Sequence, residues 1–138
     1  PYLKKWLPFA LEKFNYTHDT ILIGHSAGCP LILSILEKIN NPIKQVILVA
    51  GFCSSLEKGK PEPIVQEKYD WDKIRARSKE FVFINSDDDP WGCDEKQGRK
   101  MFDHLGGKLL ILHGEGHMGS DKFNQPYKEF PFLLRLVK

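Results

Sequence analysis

ILIGHSAGCPLIL, residues Ile21–Leu33, is the stretch whose reading decides the fold. A short apolar run ends at Gly24-His25-Ser26-Ala27-Gly28, and a second apolar run follows at helical spacing. A strand that breaks at G-x-S-x-G and turns at once into a helix has the form of a nucleophile elbow, with the serine held on a sharp turn. In that geometry Gly24 and Gly28 let strand and helix approach. The Ala27 N–H, at the helix N-terminus, points to where an oxyanion would form. The competing reading makes Ser26 a helix N-cap. A cap needs no flanking glycines, and glycine in the first turn weakens a helix.

Working outward, Leu3, Trp6, Leu7, Ala10, Leu11 and Phe14 recur at helical spacing, with Pro8 inside the pattern. Thr20–Gly24 reads as a strand, Leu31–Ile39 as a helix stopped by Asn40-Asn41-Pro42, and Gln45–Ala50 as a strand buried on both faces. Phe52–Lys79 is polar and irregular, with one short helix expected around Trp71–Ser78. Phe81–Asn85 is the next strand, Asp94–Leu105 a helix ended by Gly106-Gly107, and Lys108–His113 a further strand. A glycine-rich loop, Gly114–Gly119, precedes a last helical stretch within Asp121–Val137, interrupted or begun late by Pro126 and Pro131. Strands that alternate with helices predict an α/β fold built on a parallel sheet, as one domain over residues 1–138.

Composition narrows the function classes. The 138 residues carry 41% hydrophobic and 28% charged side chains and a net charge of +2. The charges are interspersed, so no basic stripe suits nucleic acid. No apolar run is long enough to span a bilayer, so no membrane role is expected. Three cysteines, Cys29, Cys53 and Cys93, form no CxxC pair and no even-numbered framework. They read as free thiols of a reducing compartment, with the cytoplasm as the expected location.

A serine hydroxyl needs a base oriented by a carboxylate before it can act as a nucleophile. Among the five histidines, His18 precedes the elbow, His25 sits within it, His104 lies in a helix and His113 ends a strand. Only His117, in the Gly114-Glu115-Gly116-His117 loop, follows a strand on a segment flexible enough to reach over the sheet. For the acid, Ser86-Asp87-Asp88-Asp89-Pro90-Trp91 follows a strand. Asp89 is favoured because Pro90 biases its backbone to an extended form, with Asp88 next. Asp87 and Asp88 read as a solvated turn. Ser26, Asp89 and His117 stand in the chain order Ser…Asp…His. His25 and Trp91 are candidates for the substrate pocket, and no metal or cofactor is required.

GHSAG, SDDDPWG and GEGH, together with Trp6-Leu7-Pro8-Phe9 and Tyr69-Asp70-Trp71-Asp72-Lys73-Ile74, resemble the small serine hydrolases of the α/β-hydrolase superfamily that include retinoblastoma-binding protein 9. The likeness covers nearly the whole chain. It implies an α/β-hydrolase-type three-layer sandwich in which Ser26, Asp89 and His117 are catalytic. Members begin with a strand and a Gly-rich loop that supplies a second oxyanion donor. The expectation is therefore a domain without its N-terminal strand or strands. The implied activity is cleavage of a small-molecule ester or amide through an acyl-enzyme, carboxylesterase-like, with peptidase or amidase chemistry on the same machinery. The alternative is a protein-interaction module on the same fold, with a protein partner and little catalysis.

Overall fold

The computed structural model describes residues 1–57, 60–120, 122 and 127–138. Its elements are α1 (Leu3–Lys13), β1 (Ile21–His25), α2 (Gly28–Lys38), β2 (Gln45–Val49), α3 (Trp71–Arg75), β3 (Phe81–Ser86), α4 (Glu95–Leu105), β4 (Lys108–Leu112) and α5 (Pro131–Leu134). The four strands form one parallel sheet in the order β1-β2-β3-β4. All four carboxyl ends therefore open on the same edge of the sheet, which is where ligands meet such sheets.

Alternation along the strands separates two apolar clusters. Val46, Leu48, Phe81 and Phe83 pack under α2 and α4, against Leu33, Leu36, Met101 and Leu105. On the other face Ile47, Val49, Val82 and Ile84 meet Phe130, Leu133 and Leu136 of the C-terminal segment. This is the expected three-layer arrangement, with α1–α4 contributing to one cluster and α5 to the other. Residues of β2 and β3 are buried throughout, as a sheet covered on both faces requires.

Two helix boundaries depart from expectation. α2 begins at Gly28, three residues before Leu31. Pro30 sits in its first turn, where a missing N–H has no intrahelical acceptor to lose, so the proline does not delay the helix. The helical stretch expected within Asp121–Val137 is confined, among the described residues, to Pro131–Leu134. Of the two expected roles of Pro131, interrupting the helix or beginning it late, the structure shows the late beginning. Residues 121 and 123–126 lie outside the described residues.

Gln45 and Glu80 anchor the C-terminus. Gln45 Nε2 donates to Leu136 O at 2.7 Å, and Gln45 Oε1 accepts from the Lys138 N–H at 3.2 Å. Glu80 pairs with the ammonium groups of Lys108 and Lys138. The Lys108 hydrogen bond foremost holds its carboxyl below the usual range; burial opposes this, and the Lys138 hydrogen bond adds a smaller lowering. A folded pKa below the unfolded one gives stability that is present above the ordinary glutamate range and lost as pH falls through the lowered value. The difference in Tm between the wild type and Glu80→Gln is therefore expected at neutral pH and closes in acid, as thermal melts across that range will show.

Candidate active site

Ser26 follows β1 with φ 53°, in the left-handed region that a serine adopts only under constraint. Its N–H donates to Val49 O at 3.0 Å and its carbonyl accepts from the Cys29 N–H at 2.9 Å, so both the strand and the helix pin the turn. Ser26 Oγ makes no hydrogen bond that would satisfy the first turn of α2, whose N-cap is Ala27 with no capping side chain. The cap reading is thereby set aside. Among the described residues no acceptor takes the Ala27 N–H, which stays free at the helix N-terminus beside Ser26.

The two elbow glycines do different work. A Cβ on Gly24 would lie 2.8 Å from Ile32 Cδ1 and 3.0 Å from the Gly28 carbonyl carbon and oxygen, whereas one on Gly28 would meet nothing within 4 Å. The close approach therefore needs Gly24, and Gly28 contributes only its backbone to it. Gly24→Ala is expected to destabilise by about 1–3 kcal/mol through overpacking. Gly28→Ala should be neutral or slightly stabilising, since alanine is the better helix former. Denaturant midpoints of the two variants test this contrast.

His117 follows β4 on the glycine-rich loop and is 5% exposed, and Asp89 follows β3. His117 Nδ1 lies 2.7 Å from Asp89 Oδ2, and the Asp89 side chain is fully buried. The other oxygen, Asp89 Oδ1, accepts the Trp91 N–H at 2.8 Å, so the carboxylate is oriented from both sides. An ionised carboxylate at this position sets the hydrogen of the ring on Nδ1 and leaves Nε2 as the basic nitrogen. Ser26, His117, His25 and Trp91 all line one cavity of about 510 Å³, with Phe52, Cys93 and other residues. Ser26 and His117 share this cavity without a direct hydrogen bond between them, a contact that commonly tightens only with substrate. His25 and Trp91, expected in the pocket, are both in its wall. The His25 ring also braces the loop, with Nε2–H donating to His117 O at 2.8 Å and the two rings 4.9 Å apart.

Asp87 and Asp88 form the exposed turn expected of them, and their carboxylates also bind the loop after β4. Asp87 Oδ2 binds His113 Nδ1 at 2.6 Å and Asp87 Oδ1 accepts the Gly114 N–H at 3.0 Å. The backbone bond from Gly114 and the His113 contact hold Asp87 below the usual carboxylate range, and Asp87 in turn raises His113. Asp88 Oδ1 accepts from Ser86 Oγ at 2.6 Å and from the Gly116 N–H at 2.8 Å, and these two bonds, the hydroxyl first, lower its pKa. Ser86 Oγ also accepts the Glu115 N–H at 3.0 Å. Three successive aspartates thus hold three successive parts of the loop that carries His117. Asp87–His113 is a second aspartate–histidine pair, but the His113 side chain is 96% exposed and lies outside the cavity.

Ser86 and Asp88 are positioning residues that sequence reasoning missed. Their signal, a hydroxyl and a carboxylate two residues apart facing a loop of free N–H groups, becomes visible only when β3 and β4 pair. Asp88→Ala is expected to lower kcat/KM by on the order of ten- to a hundredfold by loosening His117. Asp88→Asn, which keeps an oxygen for both donors, should retain most activity. Steady-state kinetics on the two variants separate loop positioning from charge.

Backbone strain collects at the same edge. Among the described residues, Ser26, Ala50 and Met118 are the non-glycine residues with positive φ, at 53°, 46° and 50°. They lie at the end of β1, just past β2 and next to His117. Each left-handed residue costs on the order of 1–3 kcal/mol, and such costs persist where surrounding structure enforces them.

A parallel sheet with serine on the turn after β1, aspartate after β3 and histidine after β4 defines a protein of the α/β-hydrolase type. The family model for serine hydrolases matches residues 1–136, and the chain belongs to that family. It is 28% identical over 135 residues to the serine hydrolase RBBP9 of Rattus norvegicus, covering 96% of this chain and 67% of the rat protein. It is 34% identical over 93 residues to the putative hydrolase YdeN of Bacillus subtilis, covering 64% of this chain and 49% of that protein. The crystal structure of the ydeN gene product from B. subtilis superposes with a TM-score of 0.86 at 26% identity, covering 99% of this chain and 74% of that one. Among the described residues no helix is long and apolar enough to cross a membrane.

Proposed function

We propose that the protein hydrolyses a small ester or amide by acyl transfer through Ser26, His117 and Asp89. The observation that carries this reading is the convergence of a left-handed Ser26 and a buried His117 on one cavity, with His117 Nδ1 2.7 Å from Asp89. Ser26 Oγ attacks the carbonyl carbon while His117 Nε2 takes its proton. The Ala27 N–H donates to the oxyanion that develops. His117 returns the proton to the leaving group, and the C–O or C–N bond breaks to leave an acyl-Ser26. Water, deprotonated by the same Nε2, then attacks the acyl carbon and frees the serine. Asp89 stabilises the imidazolium in both steps without itself taking the proton. The wall formed by Phe52, Ile64 and Trp91 suits an apolar acyl or alcohol part.

A protein-interaction module would need neither the strained serine nor the buried hydrogen bond between Asp89 and His117. A fluorophosphonate probe tests the choice, because it phosphonylates only an activated serine. Covalent label that is lost in Ser26→Ala supports the hydrolase, and a protein that resists the probe while folded refutes it. The cytoplasm remains the proposed location, on the ground of three free, buried cysteines.

A further inference from the structure

Cys93 has no task in the acyl transfer proposed above, yet it sits beside the pair that drives it. A ring nitrogen of His117, a carboxylate oxygen of Asp89 and Cys93 Sγ lie within 4.8 Å of one another, and all three residues are buried. Cys93 is held in place through its backbone, whose carbonyl accepts from Asn85 Nδ2 at 2.9 Å. Burial above all, and then the neighbouring Asp89 carboxylate, push its thiol pKa up, so the sulfur is protonated when no cation is near. Cys93 and His117 line the same cavity as Ser26, which gives an ion a route to these two donors, and the fully buried Asp89 carboxylate lies directly behind His117.

We propose that Asp89, Cys93 and His117 form an inhibitory binding site for a thiophilic divalent cation of the Zn²⁺ class. The donor set selects the class. One imidazole nitrogen, one thiolate and one carboxylate oxygen are three ligands of the kind Zn²⁺ accepts, with a fourth position open to water from the cavity. Mg²⁺ and Ca²⁺ require shells of oxygen that this corner does not offer. Charge agrees, because a thiolate and a carboxylate together neutralise a dication and leave no net charge buried.

Binding balances as follows: the Cys93 thiol proton leaves to solvent, and the ring proton of His117 moves from Nδ1 to Nε2. The ion then takes the place of the hydrogen bond between Asp89 and His117. Nε2 now carries a hydrogen and has no lone pair for the Ser26 proton, so turnover stops with no covalent change to the enzyme. The block on turnover rests on the reading of Ser26, His117 and Asp89 as the hydrolytic triad. The binding of the ion rests on the three side chains alone.

Two readouts keep these apart. Cd²⁺ is added to the folded protein and the ultraviolet thiolate-to-cadmium charge-transfer band is recorded, with Tm measured in Zn²⁺ and in chelator. The expected result is a band and a Zn²⁺-dependent rise in Tm, both lost in Cys93→Ser and Cys93→Ala although Cys29 and Cys53 remain. Ester hydrolysis, scored against each protein's own metal-free rate, should be inhibited by Zn²⁺, restored by chelator and indifferent to Mg²⁺. Cys93→Ala should raise the half-inhibiting Zn²⁺ concentration by about tenfold or more. No band in the wild type, or a band that survives in Cys93→Ser, overturns the site. A Cys93-dependent band with hydrolysis unaffected at saturating Zn²⁺ overturns the inhibition. If the protein hydrolyses nothing, the triad reading fails, while the band and the Tm shift still decide the metal site.

Discussion

Ser26→Ala and His117→Ala are each expected to lower kcat/KM for a small activated ester by about 10⁴- to 10⁶-fold. Ser26 is the only hydroxyl on the elbow, and its left-handed backbone holds it where strand β1 meets helix α2. Alanine at this position removes the attacking oxygen and keeps the fold, since the turn is pinned by main-chain bonds to Val49 and Cys29. Loss of His117 leaves the hydroxyl without an acceptor for its proton. The two residues act as a unit, so the double variant should be no slower than the worse single one. What remains reflects binding and the Ala27 N–H. Steady-state hydrolysis of the ester, alongside melts that show intact folding, provides the measurement. A Ser26→Ala protein with near wild-type hydrolysis would falsify the proposed mechanism.

Asp89→Asn is expected to cost on the order of 10⁴-fold in kcat with little change in KM. The substitution is nearly isosteric, and the amide oxygen can still accept the Trp91 N–H. The carboxylate oxygen that meets His117 Nδ1 at 2.7 Å becomes an amide nitrogen, which donates. The ring must then carry its hydrogen on Nε2, and the base is lost although the geometry is kept. Asp87→Asn and Asp88→Asn should lose less than about tenfold, because both sit on the loop and not on the base. The contrast among three adjacent aspartates is the sharp part of the experiment. Equal losses at all three would mean that the loop, and not the Asp89 carboxylate, limits the rate.

Much of this site could be read from local pattern. A nucleophile elbow is a contiguous device, and G-x-S-x-G between a strand and a helix is written within a few residues of chain. QVILVA, buried on both faces, announces a central parallel strand without reference to anything distant. His117 stood out among the histidines because a glycine-rich loop directly after a strand is also a local feature. α2 starts at Gly28 and not at Leu31, because Pro30 in the first turn has no intrahelical hydrogen bond to lose. The length of the C-terminal helix is set by packing, because helical spacing alone does not say how long a segment stays paired with the core.

The sequence by itself determined the class of sheet, the serine on its turn and the chain order of Ser26, Asp89 and His117, since strand, turn and helix propensities act over a few neighbours. Only the tertiary structure decided which aspartate meets which histidine. Asp87, Asp88 and Asp89 are chemically alike, and their partners lie 26 to 28 residues away on the β4 side. It is the parallel register of β3 with β4 that sends Asp87 to His113 and Gly114, Asp88 to Gly116 and Asp89 to His117. The left-handed backbone of Ala50 and Met118, and the closeness of Cys93 to Asp89 and His117, are likewise products of packing. Each depends on the distance between segments that the chain brings together only after the sheet has formed.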